Sequence, residues 1–126
     1  MKSRWISYQD TLIFNVNFSN LAQNRESLKT ELEAITLVVM DQPKNSILAL
    51  VDIRDTNLTP ALVLLIRQYA WRLGGYIYRA AVIDNTINHF KMVVLNSIAR
   101  VGGQEVVLFD DKEKAKNWLV KSSSSK

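Results

Sequence analysis

The sequence predicts an α/β domain: a mostly parallel sheet of four to five strands, with an N-terminal antiparallel hairpin and about four helices. Two observations carry this. The apolar period switches along the chain between two and about three and a half, as strands and helices alternate. Between the amphipathic stretches lie runs that are apolar almost throughout, which reads as strands covered on both faces and hence parallel.

Trp5, Ile6 and Tyr8 lead through Gln9-Asp10 into Phe14, Val16 and Phe18, which alternate with Asn15 and Asn17. This pattern predicts a tight hairpin with one solvated face. A helix is expected from about Leu21 to Met40, with Leu21, Leu28, Leu32, Ile35 and Val39 on one stripe and Glu26, Lys29 and Glu33 opposite. Asp41-Gln42-Pro43 breaks it, since proline cannot continue a helix. Ile47 to Val51 then reads as a buried strand. Thr59-Pro60 opens the next helix, with a hydroxyl N-cap and proline at the first position. Its core stripe is Leu62, Leu65, Ile66, Tyr69 and Leu73, and Gly74-Gly75 closes it through a left-handed residue.

Tyr76 to Ile83 is the following strand. A helix from about Thr86 to Arg100 places Phe90 and Val94 inward and ends at Gly102-Gly103. Val106 to Phe109 is the last strand, and Asp110 with Glu113 has capping-box spacing for the final helix, packed by Ala115, Trp118 and Leu119. Residues 1–121 thus form a single domain, and 122–126 a disordered serine-rich tail.

Order and residues together resemble the SpoIIAA-like family, whose fold is related to the STAS domain. The resemblance runs from Trp5 to Val120. Its pieces are Leu48-Ala49-Leu50-Val51-Asp52 with Leu58-Thr59-Pro60, then Ala80-Ala81-Val82-Ile83, then Leu108-Phe109-Asp110 with Ala115-Lys116-Asn117-Trp118-Leu119. The closing Phe-Asp and Ala-x-x-Trp-Leu pattern is the most specific. The resemblance implies a non-enzymatic interaction or small-ligand module. In anti-sigma-factor antagonists of this kind a serine at the start of the helix after the third strand is phosphorylated. Here that segment has no Asp-Ser pair; Asp55-Thr56 is the nearest equivalent.

Composition narrows the chemistry. Hydrophobic residues make up 48% and charged residues 22%, as in an ordinary globular domain. There is no cysteine, which removes disulfides, thiolate ligands and thiol nucleophiles and fits a reducing compartment. No membrane span and no secretory leader are read, so the expected location is cytoplasmic. The net charge of +4 is spread over a tail and around helices among acids, without clustered aromatics, so no nucleic-acid partner is expected. His89 is the sole histidine and is expected to face solvent. No P-loop, dinucleotide fingerprint or nucleophile elbow occurs.

Two regions stand out as candidate sites. The carboxyl ends of the parallel strands should gather Asp52, Arg54, Asp55, Thr56, Asp84, Asn85, Thr86, Asp110 and Asp111 on one edge. Such carboxylates suit a hard cation. They also suit helix capping, which is the favoured reading, so no metal or cofactor is expected. Thr59 is read first as an N-cap and second as a phosphorylation site at a helix N-terminus. The other region is apolar: Leu64 and Trp71 on one helix, and Met92 and Leu95 on the next, are placed away from their core stripes. Trp and Met are enriched at interfaces. The sequence therefore predicts a non-catalytic module that binds a protein partner or itself through Leu64, Trp71, Met92 and Leu95. Specificity would reside in the loop bearing Arg54, Asp55, Thr56 and Thr59. The alternative is a carrier or sensor for a small lipid or nucleotide, marked by a cavity beneath Tyr69, Tyr76, Tyr78 and Phe90. A metal-dependent enzyme at the acidic edge is the third reading.

Overall fold

The computed structural model describes residues 3–19, 25–54, 59–85, 89–103 and 105–124. β1 (Arg4–Tyr8) and β2 (Thr11–Asn17) pair antiparallel, with Trp5 opposite Phe14 and Tyr8 opposite Thr11. Gln9 and Asp10 both take positive φ, 50° and 64°, which matches a two-residue hairpin turn to the strand twist. β2 then pairs in parallel with β3 (Ile47–Asp52), β3 with β4 (Ile77–Ile83), and β4 with β5 (Glu105–Phe109). The five strands lie side by side in chain order.

That order dictates where the helices go. Every parallel crossover steps in one direction across the sheet. Right-handed connections therefore put α1 (Arg25–Val39), α2 (Pro60–Leu73) and α3 (His89–Gly102) on a single face. Only α4 (Lys112–Ser124), which follows the last strand, is free to cover the other. Strand alternation supplies a core to each face. Phe14, Val16, Ala49, Ala80 and Val82 meet α1, α2 and α3 through Leu28, Leu32, Ile35, Leu62, Leu65, Tyr69 and Val94. Ile13, Leu48, Leu50, Ala81 and Ile83 meet Ala115, Leu119 and Val120 of α4.

Several expectations change. β2 has no solvated face: Ile13, Phe14, Asn15 and Val16 are all buried, because β3 flanks the strand and both faces carry core. Asn15 is 8% exposed, and its side-chain Oδ1 has no hydrogen-bond partner. α2 does not end at a left-handed glycine; Gly74 is right-handed helical at φ −57°, and the chain tightens into a short 3₁₀ turn over Gly74–Tyr76. Gly103, at φ 76°, is the left-handed glycine, at the end of α3. The α4 cap is Asp111 and not Asp110: its Oδ1 accepts from the Glu113 N–H at 2.9 Å. The serine-rich segment is not wholly a tail, since α4 continues through Ser124. Ser125, Lys126, Leu21 and the Thr86 helix start lie outside the described residues.

Candidate functional site

Strand alternation separates the acids that the sequence places on one edge. Asp52 shares parity with Leu48 and Leu50, so it lies on the α4 side. Asp84 shares parity with Ala80 and Val82 and lies on the opposite side, under α3. Each is occupied by a cation of its own. Arg54 holds Asp52 through two side-chain bonds, Nε to Oδ1 at 3.0 Å and Nη2 to Oδ2 at 2.7 Å, and adds its backbone N–H at 3.0 Å. The Asp84 side chain is 1% exposed and pairs with Lys91 Nζ. Burial pushes the Asp52 carboxyl up, but the Arg54 hydrogen bonds and charge, helped by Lys112, outweigh it and hold the group below its ordinary range. Among the described residues no three His, Asp or Glu side chains come together as a metal site. The strand order also never reverses, so the sheet has no switch point to open a crevice at this edge.

Of the predicted specificity loop, Asp55 and Thr56 lie outside the described residues. Arg54 is committed to Asp52. Thr59 is an N-cap: its Oγ1 accepts from the Leu62 N–H at 3.3 Å, and its carbonyl from the Val63 N–H at 3.0 Å.

The apolar surface is partly as predicted. Leu64 is 58% exposed, Trp71 76% and Met92 40%, all on the neighbouring helices α2 and α3. Leu95 is not among them. It is half-buried and packs on the core, because the buried stripe of α3 is wide enough to take in Val94, Leu95 and Ile98 together. Val93 is exposed instead, at 53%. His89 is exposed, as expected.

Leu95 belongs to a feature with no local sequence signal, a cavity of about 130 Å³ between the sheet and the three-helix layer. Its floor is Ala49 and Val51 of β3, Ala80 and Val82 of β4, and Val106 of β5. α1 contributes Leu32 and Ile35, α2 contributes Ile66, Tyr69, Ala70 and Leu73, and α3 contributes Leu95 and Ile98. Among the described residues Tyr69 carries the only polar side-chain atom in the lining. Its hydroxyl donates to Glu33 Oε1 of α1. Burial, then the hydrogen bond and charge of Glu33, raise the Tyr69 pKa. The sequence places this cavity beneath four aromatic residues, but only Tyr69 among the described ones lines it. Tyr78 packs with the α4 core, where Arg79 lies 5.4 Å from its ring centroid. Tyr76 is outside the lining, and the Phe90 side chain is outside the described residues. No helix among the described residues is long and apolar enough to cross a membrane.

No family model matches the sequence. No curated protein matches it either. Among solved structures the chain is similar to the crystal structure of an uncharacterized protein of the DUF3478 family with a SpoIIAA-like fold, from Shewanella loihica PV-4. The two share 16% identity at a TM-score of 0.70, over 93% of this chain and 91% of that one. The fold is thus SpoIIAA-like, as the sequence resemblance implies.

Proposed function

We propose that this chain is a non-catalytic binding module whose ligand is a small apolar molecule, or the apolar part of one, seated between the sheet and α1, α2 and α3. The observation that carries this reading is the cavity of about 130 Å³ and its lining of aliphatic side chains. Leaving such a volume empty costs roughly 3 kcal/mol at ~24 cal/mol per Å³. An apolar void of about this size, roughly 150 Å³, takes up benzene or xenon rather than water. The small-ligand reading therefore stands above the protein-partner reading. Catalysis is not part of the proposal, because the buried acids Asp52 and Asp84 are each engaged by a cation and the described residues lining the cavity offer a single hydroxyl.

Native mass spectrometry of protein purified gently from its own source tests this. We expect an added small mass on the 14.4 kDa chain, lost on unfolding and absent from Ala70→Phe, which fills the cavity. A bare chain that also shows no benzene-induced shifts in its cavity methyl groups overturns the reading.

The exposure of Leu64, Trp71, Met92 and Val93 favours a second reading, in which the outer surface of α2 and α3 engages a protein partner or a second copy. The double substitution Leu64→Ser, Trp71→Ser is expected to keep the fold and weaken self-association in sedimentation velocity. An unchanged sedimentation profile counts against a dimer through this surface. In either reading the absence of cysteine suits a cytoplasmic role.

A further inference from the structure

We propose that Tyr69 is the door of the cavity and that its hydrogen bond to Glu33 is the latch, an inference that rests on the small-ligand reading above. Tyr69 sits on α2 and Glu33 on α1, and the bond between them spans the seam where the two helices meet. This seam is less extensively packed than the one between α2 and α3. The Tyr69 ring lines the cavity. Arg72, exposed one turn further along α2, holds its guanidinium 5.4 Å from the ring centroid. The ring thus lies between an apolar interior and a solvated cation, which is where the wall of a cavity meets its mouth. On the α1 side Leu32, also in the lining, is the chain neighbour of exposed Glu33.

Tyr69 is buried as a residue, and a hydroxyl at the margin of an apolar interior needs a partner. Here the partner is a carboxylate, so the bond is charge-assisted and stronger than a neutral one. While it holds, the ring cannot swing outward and α1 stays tied to α2. A guest passing between these helices must first part it. The latch therefore sets how fast a guest enters and leaves, and has little bearing on how tightly it sits.

Methyl-resolved NMR of the whole chain, with benzene as the probe, tests this. In Tyr69→Phe the exchange rate of bound benzene, read at the Ile66 and Leu95 methyl groups, should rise roughly five- to tenfold, the factor one such hydrogen bond supplies. The dissociation constant should stay within about twofold, since the ring remains. Glu33→Ala should reproduce the acceleration. Glu33→Gln keeps an acceptor oxygen and should exchange more slowly than Glu33→Ala. Equal exchange rates in wild type and Tyr69→Phe, with benzene bound to both, overturn the latch and leave the ligand reading standing. Failure of benzene to bind any of these proteins overturns both.

Discussion

The two faces of the sheet are built from the same strands and solve different packing problems. One face has three helices above it and still leaves about 130 Å³ of apolar space unfilled. The other has a single helix, α4, whose Ala115 and Leu119 are fully buried against Ile13, Leu48, Leu50, Ala81 and Ile83. Around that small core, side chains with polar ends hold the helix. Tyr8 Oη donates to Asn117 Oδ1 at 2.7 Å, and Arg79 lies 5.3 Å from the Trp118 ring centroid. One helix can settle onto a sheet until contact is complete. Three helices must satisfy one another as well as the sheet, and space is left where they converge. In this fold the unfilled apolar space lies on the face with more helices, and the closer packing on the face with fewer.

Charge burial offers the sharpest way to break this comparison. Lys91→Met removes a partner of a fully buried carboxylate on the cavity face, and should destabilise the protein by about 3–5 kcal/mol in urea unfolding. A loss below about 1 kcal/mol would show that Asp84 is satisfied without it. Leu119→Ala should cost about 3 kcal/mol, a core truncation that α4 has no second helix to compensate.

Ala80 and Ala81 sharpen the comparison further, because these neighbours point to opposite faces. Ala81→Val overfills the tight face and should destabilise by about 1–3 kcal/mol. Ala80→Val projects into the cavity and should be neutral or stabilising by up to about 1 kcal/mol, as cavity filling often is. Equal penalties at both sites would mean that the void is not available space. Asn15→Val should add about 1 kcal/mol by removing a buried acceptor that has no partner, measured by the same unfolding experiment.

The smallest effect is pH dependence at Asp52. Its folded pKa lies below the ordinary 3.8, so the stabilisation is fully present above the unfolded value and is lost as pH falls through the folded one. Arg54 is 42% exposed, which keeps the contribution below about 1 kcal/mol. Asp52→Asn should flatten the acid limb of the stability profile by that amount. An unchanged limb would assign acid sensitivity to other carboxylates.

Much of the fold is legible in the sequence because it is written in short-range periods. Leu62, Leu65, Tyr69 and Leu73 are buried as their spacing predicts, and Thr59-Pro60 caps α2 as its chemistry predicts. Leu64, Trp71 and Met92 are exposed for the same reason. What periodicity misses is set by neighbours distant in the chain. Asn15 reads as solvated until β3 is placed beside β2. Leu95 reads as exposed until α2 is placed beside α3. Glu33 and Tyr69 are 36 residues apart, and no local rule pairs them. The separation of Asp52 from Asp84 was within reach, since each continues the alternation of the strand before it. The grouping of acids at a sheet edge says which end of the strands they occupy and nothing about which face.

The chain-order arrangement of the strands has a consequence for synthesis. Neighbouring strands are also neighbours in time, so each new unit can add to the one before it as the chain emerges. The layer of three helices can therefore assemble progressively on its face. The other face waits: Ile13, Leu48, Leu50, Ala81 and Ile83 remain uncovered until α4 has been made. For that interval the nascent chain presents an apolar sheet surface, the kind of surface that draws chaperones and unwanted partners. A chain stalled before Ala115 would carry all five strands and yet be sticky on one whole side.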